Sequence, residues 1–101
     1  MKITLPKAKH YFSRQLIRRA GYGEIVNREG VTSYVRILGM SGYPRFHAYL
    51  EEATDQFTIN LHLDQKKPVY TGQTAHNGEY DGDTVEREAN RICVTLRPLL
   101  T

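Results

Sequence analysis

The chain has 101 residues, 40% of them hydrophobic and 25% charged, which is the composition of one ordinary globular domain with a single core. Its net charge of +3 divides unevenly: residues 1 to 48 hold nine Lys or Arg against Glu24 and Glu29, whereas residues 49 to 101 hold five against nine acids. A lone Cys93 excludes an intramolecular disulfide and a cysteine-based zinc finger, and no apolar run is long enough for a membrane span or a secretory leader, so a cytoplasmic location is expected.

In chain order, "KITL" reads as a short first strand stopped by Pro6. From residue 7 to residue 20, Ala8, Phe12, Leu16 and Ala20 recur every four residues, with Tyr11 and Ile17 widening the stripe, so a helix ended by Gly21 is expected. "GYGEIVNREG" is a loop or a weak strand that turns at "NREG". "VTSYVRIL", residues 31 to 38, is a strand that sends Ser33, Val35 and Ile37 to one side and Tyr34 and Arg36 to the other. "PRFHAYLEE" and "QFTINLHLDQ", residues 44 to 52 and 56 to 65, form a hairpin about Thr54 and Asp55.

About twenty residues without regular pattern follow, from 65 to 82, a length that marks functional or mobile loops in compact domains. The last helix opens at Asp83, with Glu86 placed for a capping box, carries Val85, Ala89, Ile92 and Leu96 on its apolar stripe, and stops at Pro98. The expected fold class is therefore α+β: a single domain over residues 1–101, with an antiparallel sheet of three to four strands and two helices packed on one face.

The hairpin register collects the chemistry. A turn at Thr54 and Asp55 pairs Leu50 with Ile59, Ala48 with Leu61 and Phe46 with Leu63, placing every large apolar side chain on one face. The opposite face then holds Arg45, His47, Tyr49 and Glu51 against Thr58, Asn60, His62 and Asp64, with His47 directly across from His62. Cross-strand Cβ atoms lie about 4.5 to 5.5 Å apart, close enough for two imidazoles to share a proton, a phosphate oxygen or a metal ion. Tyr34 and Arg36 are expected to extend this face from the preceding strand. A solvated face needs no ligand, but Thr, Lys and Glu would suffice to solvate it; Arg, His, Tyr and Asn are the types that orient hydrogen bonds, titrate near neutrality and stack.

Three readings follow. In the favoured one the face is a binding module for RNA or single-stranded DNA, with Tyr34 and Tyr49 as stacking platforms, Arg36, Arg45, Lys66 and Lys67 on phosphates, and His47, His62 and Asn60 reading the ligand. The alternative is a hydrolase of phosphodiesters centred on His47 and His62. In its metal-dependent form a divalent ion such as zinc is held by His47, His62, His76 and Asp64, since zinc takes three or four ligands at about 2.0 to 2.2 Å. In its metal-free form one imidazole accepts a proton while the other donates one. No HExxH, CxxC, EF-hand loop or GxGxxG supports either form. The third reading is a protein-interaction domain that pairs through a sheet edge, giving an oligomer. The strings "YPRFHAYL", "NLHLDQKKP" and "HNGEYDG" resemble those of small uncharacterised bacterial proteins over about the C-terminal two thirds of the chain, a resemblance that implies no activity and assigns no site residue.

Overall fold

The computed structural model describes residues 1 to 65 and 82 to 101. Five strands, β1 (Lys2–Pro6), β2 (Gly23–Val26), β3 (Thr32–Ile37), β4 (Arg45–Glu52) and β5 (Gln56–Asp64), form one sheet in the order β1-β5-β4-β3-β2, with every neighbouring pair antiparallel. The chain thus runs β2 to β5 as a meander of consecutive hairpins. Helix α1 (Ser13–Arg19) carries the chain from the β1 edge to the β2 edge, and helix α2 (Asp83–Leu96) ends in a 3-10 turn, Arg97–Leu99. No helix among the described residues is long and apolar enough to cross a membrane.

The β4–β5 register is the one that the apolar alternation dictates: Phe46 opposes Leu63, Ala48 opposes Leu61 and Leu50 opposes Ile59. The core follows from it. Ile3, Tyr34, Phe46, Ala48, Phe57, Ile59 and Leu61 of the strands enclose one cluster with Leu16, Ile17 and Ala20 of the first helical segment and with Val85, Ala89, Ile92 and Leu96 of α2. Burying each large aliphatic side chain contributes roughly 1.5 to 3 kcal/mol, so this cluster dominates the favourable side of folding.

The α+β class holds, but the sheet has five strands where three to four were expected, because β1 joins β5 and "GEIV" forms β2. The short β2 is held by its turn. Asn27 Oδ1 accepts the backbone N–H of Glu29 and of Val31, each at 2.9 Å, and Gly30 supplies the positive φ of 82° that closes the hairpin. Replacing Asn27 by Ala removes both bonds and is expected to cost about 1 kcal/mol in urea denaturation.

Two boundaries also differ. Helix α1 begins at Ser13, six residues later than the stripe suggests, because the Lys7 N–H is spent on Asp55 O (3.1 Å), which prolongs the β1 ladder past Pro6. Its other end agrees: the Gly21 N–H bonds Arg18 O (2.9 Å), and Gly21 has φ of 97°. Helix α2 opens with Gly82 as cap and no side-chain capping bond, so the Asp83–Glu86 capping box does not form; Glu86 N–H instead bonds Gly82 O at 3.0 Å. The expected loop from 65 to 82 lies almost wholly outside the described residues.

Candidate functional site on the polar sheet face

Alternation along β4 and β5 puts Arg45, His47, Tyr49 and Glu51 on the side of the sheet away from the core, with Thr58, Asn60, His62 and Asp64 beside them. His47 opposes His62, and Tyr49 opposes Asn60. The imidazoles are nevertheless not bonded to each other among the described residues. Both instead touch the Tyr49 ring.

His47 is held at both ring nitrogens. Nε2 lies 2.7 Å from Ser33 Oγ, and Nδ1 lies 2.8 Å from Asp64 Oδ2. Both contacts are diagonal: Val35 and His62 are the residues directly opposite His47, and Ser33 and Asp64 stand two positions along the same strands. The imidazole therefore ties β3, β4 and β5 together. With Nδ1–H donating to the carboxylate, Nε2 accepts from the serine hydroxyl, so the two partners select the tautomer and fix the ring plane.

That plane is used. The Tyr49 ring stacks on His47 at a centroid distance of 4.5 Å and 26° between planes, and it meets His62 edge-on at 6.0 Å and 75°. Tyr49 keeps 38% of its surface in solvent, and His62 is exposed, so this three-ring cluster is presented outward while its base is anchored. Beside it the Arg45 guanidinium lies 4.7 Å above the Tyr43 ring, and its Nε stands 3.5 Å from Asp64 Oδ2, an ion pair too long for a hydrogen bond. Asn60 Nδ2 donates to Glu51 Oε1 at 3.0 Å.

Tyr34 and Arg36 are not part of this face. The β3–β4 register sets Val35 opposite His47, so the odd-numbered residues of β3 share its side, while Tyr34 opposes Ala48 and Arg36 opposes Phe46 on the core side. Tyr34 is buried there, and burial followed by the Glu24 carboxylate pushes its hydroxyl above the usual tyrosine range. Arg36 Nη1 donates to Glu88 Oε1 at 3.3 Å. Both residues are structural elements of the helix-bearing side.

Ser33 takes the place that they were expected to fill. The signal was available as a small hydroxyl among Val35 and Ile37, but its meaning depends on which parity of β3 faces His47. Lys66, Lys67 and His76 lie outside the described residues. Of the expected metal set, His47 and Asp64 are bonded to each other, and His47 offers no second nitrogen without releasing Ser33. No group of three or more His, Cys, Asp or Glu gathers among the described residues in a metal-binding arrangement.

Replacing Ser33 by Ala is expected to cost about 1 kcal/mol and to change the imidazole 15N shifts of His47, because the tautomer loses one of its two determinants. Unchanged imidazole spectra would show that the bond is not made in solution. Comparison of the chain with protein-family models, with curated proteins and with solved structures finds no match in any of the three.

Proposed function

We propose that the chain is a single-stranded nucleic-acid-binding module whose ligand lies across β4 and β5 on the polar face. The observation that carries this reading is the outward-facing Tyr49 ring, flanked by His47 and His62 on a rigid sheet, with His47 locked by Ser33 and Asp64. Bases stack on such rings without sequence preference, and a ring fixed beforehand loses little entropy on binding. Arg45, stacked on Tyr43 at the end of the same row, supplies a planar cation for a phosphate. The surplus of basic residues in the first half of the chain adds long-range attraction for a polyanion. Titration with a fluorescent oligo(dT) at low salt tests it: saturable binding that weakens steeply as salt rises is the expected result, and no binding at low salt contradicts it.

A hydrolytic reading has one observation in its favour. The order Ser33 Oγ to His47 Nε2, then His47 Nδ1 to Asp64 Oδ2, is the connectivity of a nucleophile, a base and its orienting carboxylate. Binding remains the better account for two reasons. Ser33 retains 4% of its surface, too little for attack on a bound ester, and it sits within a regular strand whose backbone N–H groups serve the ladder rather than an oxyanion. A phosphodiesterase or esterase activity abolished by Ser33→Ala would reverse this ranking. Association through an edge has little backbone to use, since β1 offers five residues and β2 four.

A further inference from the structure

The first 23 residues contain six Lys or Arg and no acid. Part of that charge converges on a cleft of about 330 Å³ between the segment that links β1 to α1 and the turn end of the β4–β5 hairpin. Lys7, Lys9 and His10 line one side, Glu52 and the core residue Phe57 line the other, and Phe12 stands at its rim with 68% of its surface exposed. Ser13 Oγ donates to Glu52 Oε2 at 2.8 Å, which draws the one acid of the cleft toward the helix. The Arg14 guanidinium lies 5.7 Å from the Phe12 ring centroid, and that of Arg19 lies 5.2 Å from the ring of Tyr11. Cations thus flank one exposed ring, Phe12, and one half-buried ring, Tyr11, along one short segment.

We infer that this cleft is a second anchor for the same single strand, with phosphates held by Lys7, Lys9 and His10 and a base lying on Phe12. The inference rests on the sheet-face reading above and names how far the ligand extends. One feature selects nucleic acid over other polyanions. A large exposed phenyl ring among lysines suits a ligand that alternates planar bases with phosphates. The cleft opens on the helix-bearing side, the side of Glu52 and Phe57, so a strand that leaves the polar face past Lys2, Thr4 and Thr58 reaches it by rounding the end of the sheet at Pro6 and Gln56. From the Tyr49–Asn60 pair to that end is four strand positions, roughly 13 Å. About four stacked nucleotides at roughly 3.4 Å each are used up by that distance alone, so only a longer strand also rounds the end of the sheet and enters the cleft.

Fluorescence anisotropy of the whole chain with oligo(dT) of roughly 4 and roughly 12 nucleotides, the span of known single-strand site sizes, tests the inference. The double variant Lys7→Gln/Lys9→Gln and the single variant Phe12→Ala change exposed side chains, and circular dichroism confirms that they fold. The wild type is expected to hold the long oligonucleotide more tightly than the short one. The double variant should lose about tenfold or more in affinity for the long one, with a salt slope shallower by about 1.4, while keeping its affinity for the short one. Phe12→Ala should weaken the long oligonucleotide with the salt slope unchanged.

If both variants bind the long oligonucleotide as the wild type does, the cleft inference falls and the sheet-face reading stands. If the wild type binds neither oligonucleotide, both fall together. Binding of phosphatidylserine vesicles that the double variant loses, with oligonucleotide affinity untouched, would reassign the cleft to an anionic membrane surface and overturn the inference.

Discussion

Replacing Glu88 by Ala should lower the stability of the fold by about 3 kcal/mol at neutral pH, measured by urea denaturation. Glu88 lies on the buried stripe of α2 and keeps 4% of its surface. Its carboxylate receives the Tyr22 hydroxyl at 2.6 Å, Arg91 Nε and Nη2 at 2.8 Å each, and Arg36 Nη1 at 3.3 Å. Arg91 Nη2 also donates to Ala20 O at 2.6 Å, so the carboxylate joins α2 to β3, to the end of α1 and to the residue before β2. Removing it leaves the buried Tyr22 hydroxyl and two half-buried guanidinium groups without their common partner. The loss falls at the lower end of the range for broken buried pairs, because Arg36 and Arg91 keep about a third of their side chains in water and rehydrate in part.

The same cluster dictates the pH dependence. Burial alone would raise the Glu88 carboxyl, but the hydrogen bonds of Arg91 and Tyr22 and the charges of Arg91 and Arg36 outweigh burial and hold it below the usual carboxylate range. A carboxyl lowered by folding contributes stability that is present above its unfolded value and is lost as pH falls through the folded one. Tyr22 moves the other way. Burial, then the hydrogen bond and charge of Glu88, push its hydroxyl far above the ordinary tyrosine range, so its contribution is present below about pH 10 and is lost as the solution becomes more alkaline. Glu88→Ala should therefore flatten the acid limb of the stability profile as well as lower its plateau. A loss below about 1 kcal/mol with an unchanged acid limb would mean that the network is not formed in solution.

Replacing Tyr49 by Ala should weaken oligonucleotide binding about 5- to 140-fold, because stacking of one base on an aromatic ring contributes about 1 to 3 kcal/mol and each 1.4 kcal/mol is about tenfold. Stability should change little. Tyr49 stands on the outer face, partly in solvent, and contacts rings rather than the core. Tyr49→Phe keeps the ring and should bind nearly as the wild type does, which separates stacking from hydrogen bonding by the hydroxyl. An alanine variant with full affinity would remove Tyr49 from the site.

The part of this architecture that is legible in the amino-acid order is the part that two constraints determine together. In β4 and β5, apolar alternation and the short turn at Thr54 and Asp55 admit one register, and His47 meets His62 as a consequence. For β3 only the alternation is available. The connection from Leu38 to Pro44 does not dictate which parity of β3 faces His47, and choosing the wrong one exchanges Ser33 for Tyr34 and Arg36. In residues 7 to 12 a helical period is present, yet the ladder bond from Lys7 to Asp55 is a tertiary preference that no local pattern reports. Glu88 was readable in principle, since it follows Val85 by three and precedes Ile92 by four on the apolar stripe. Arg91 follows it by three on the same helix, but Tyr22 and Arg36 come from two other segments, and only the fold brings them to it.

The central claim, that the polar sheet face is where the ligand lies, is tested most directly by NMR titration of isotopically labelled protein with a short oligo(dT) at low salt. The account predicts that shifts concentrate on the side chains of Arg45, His47, Tyr49 and His62, with the outward residues Asn90 and Val94 of α2 unmoved. Shifts confined to α2, or none at all, would contradict it.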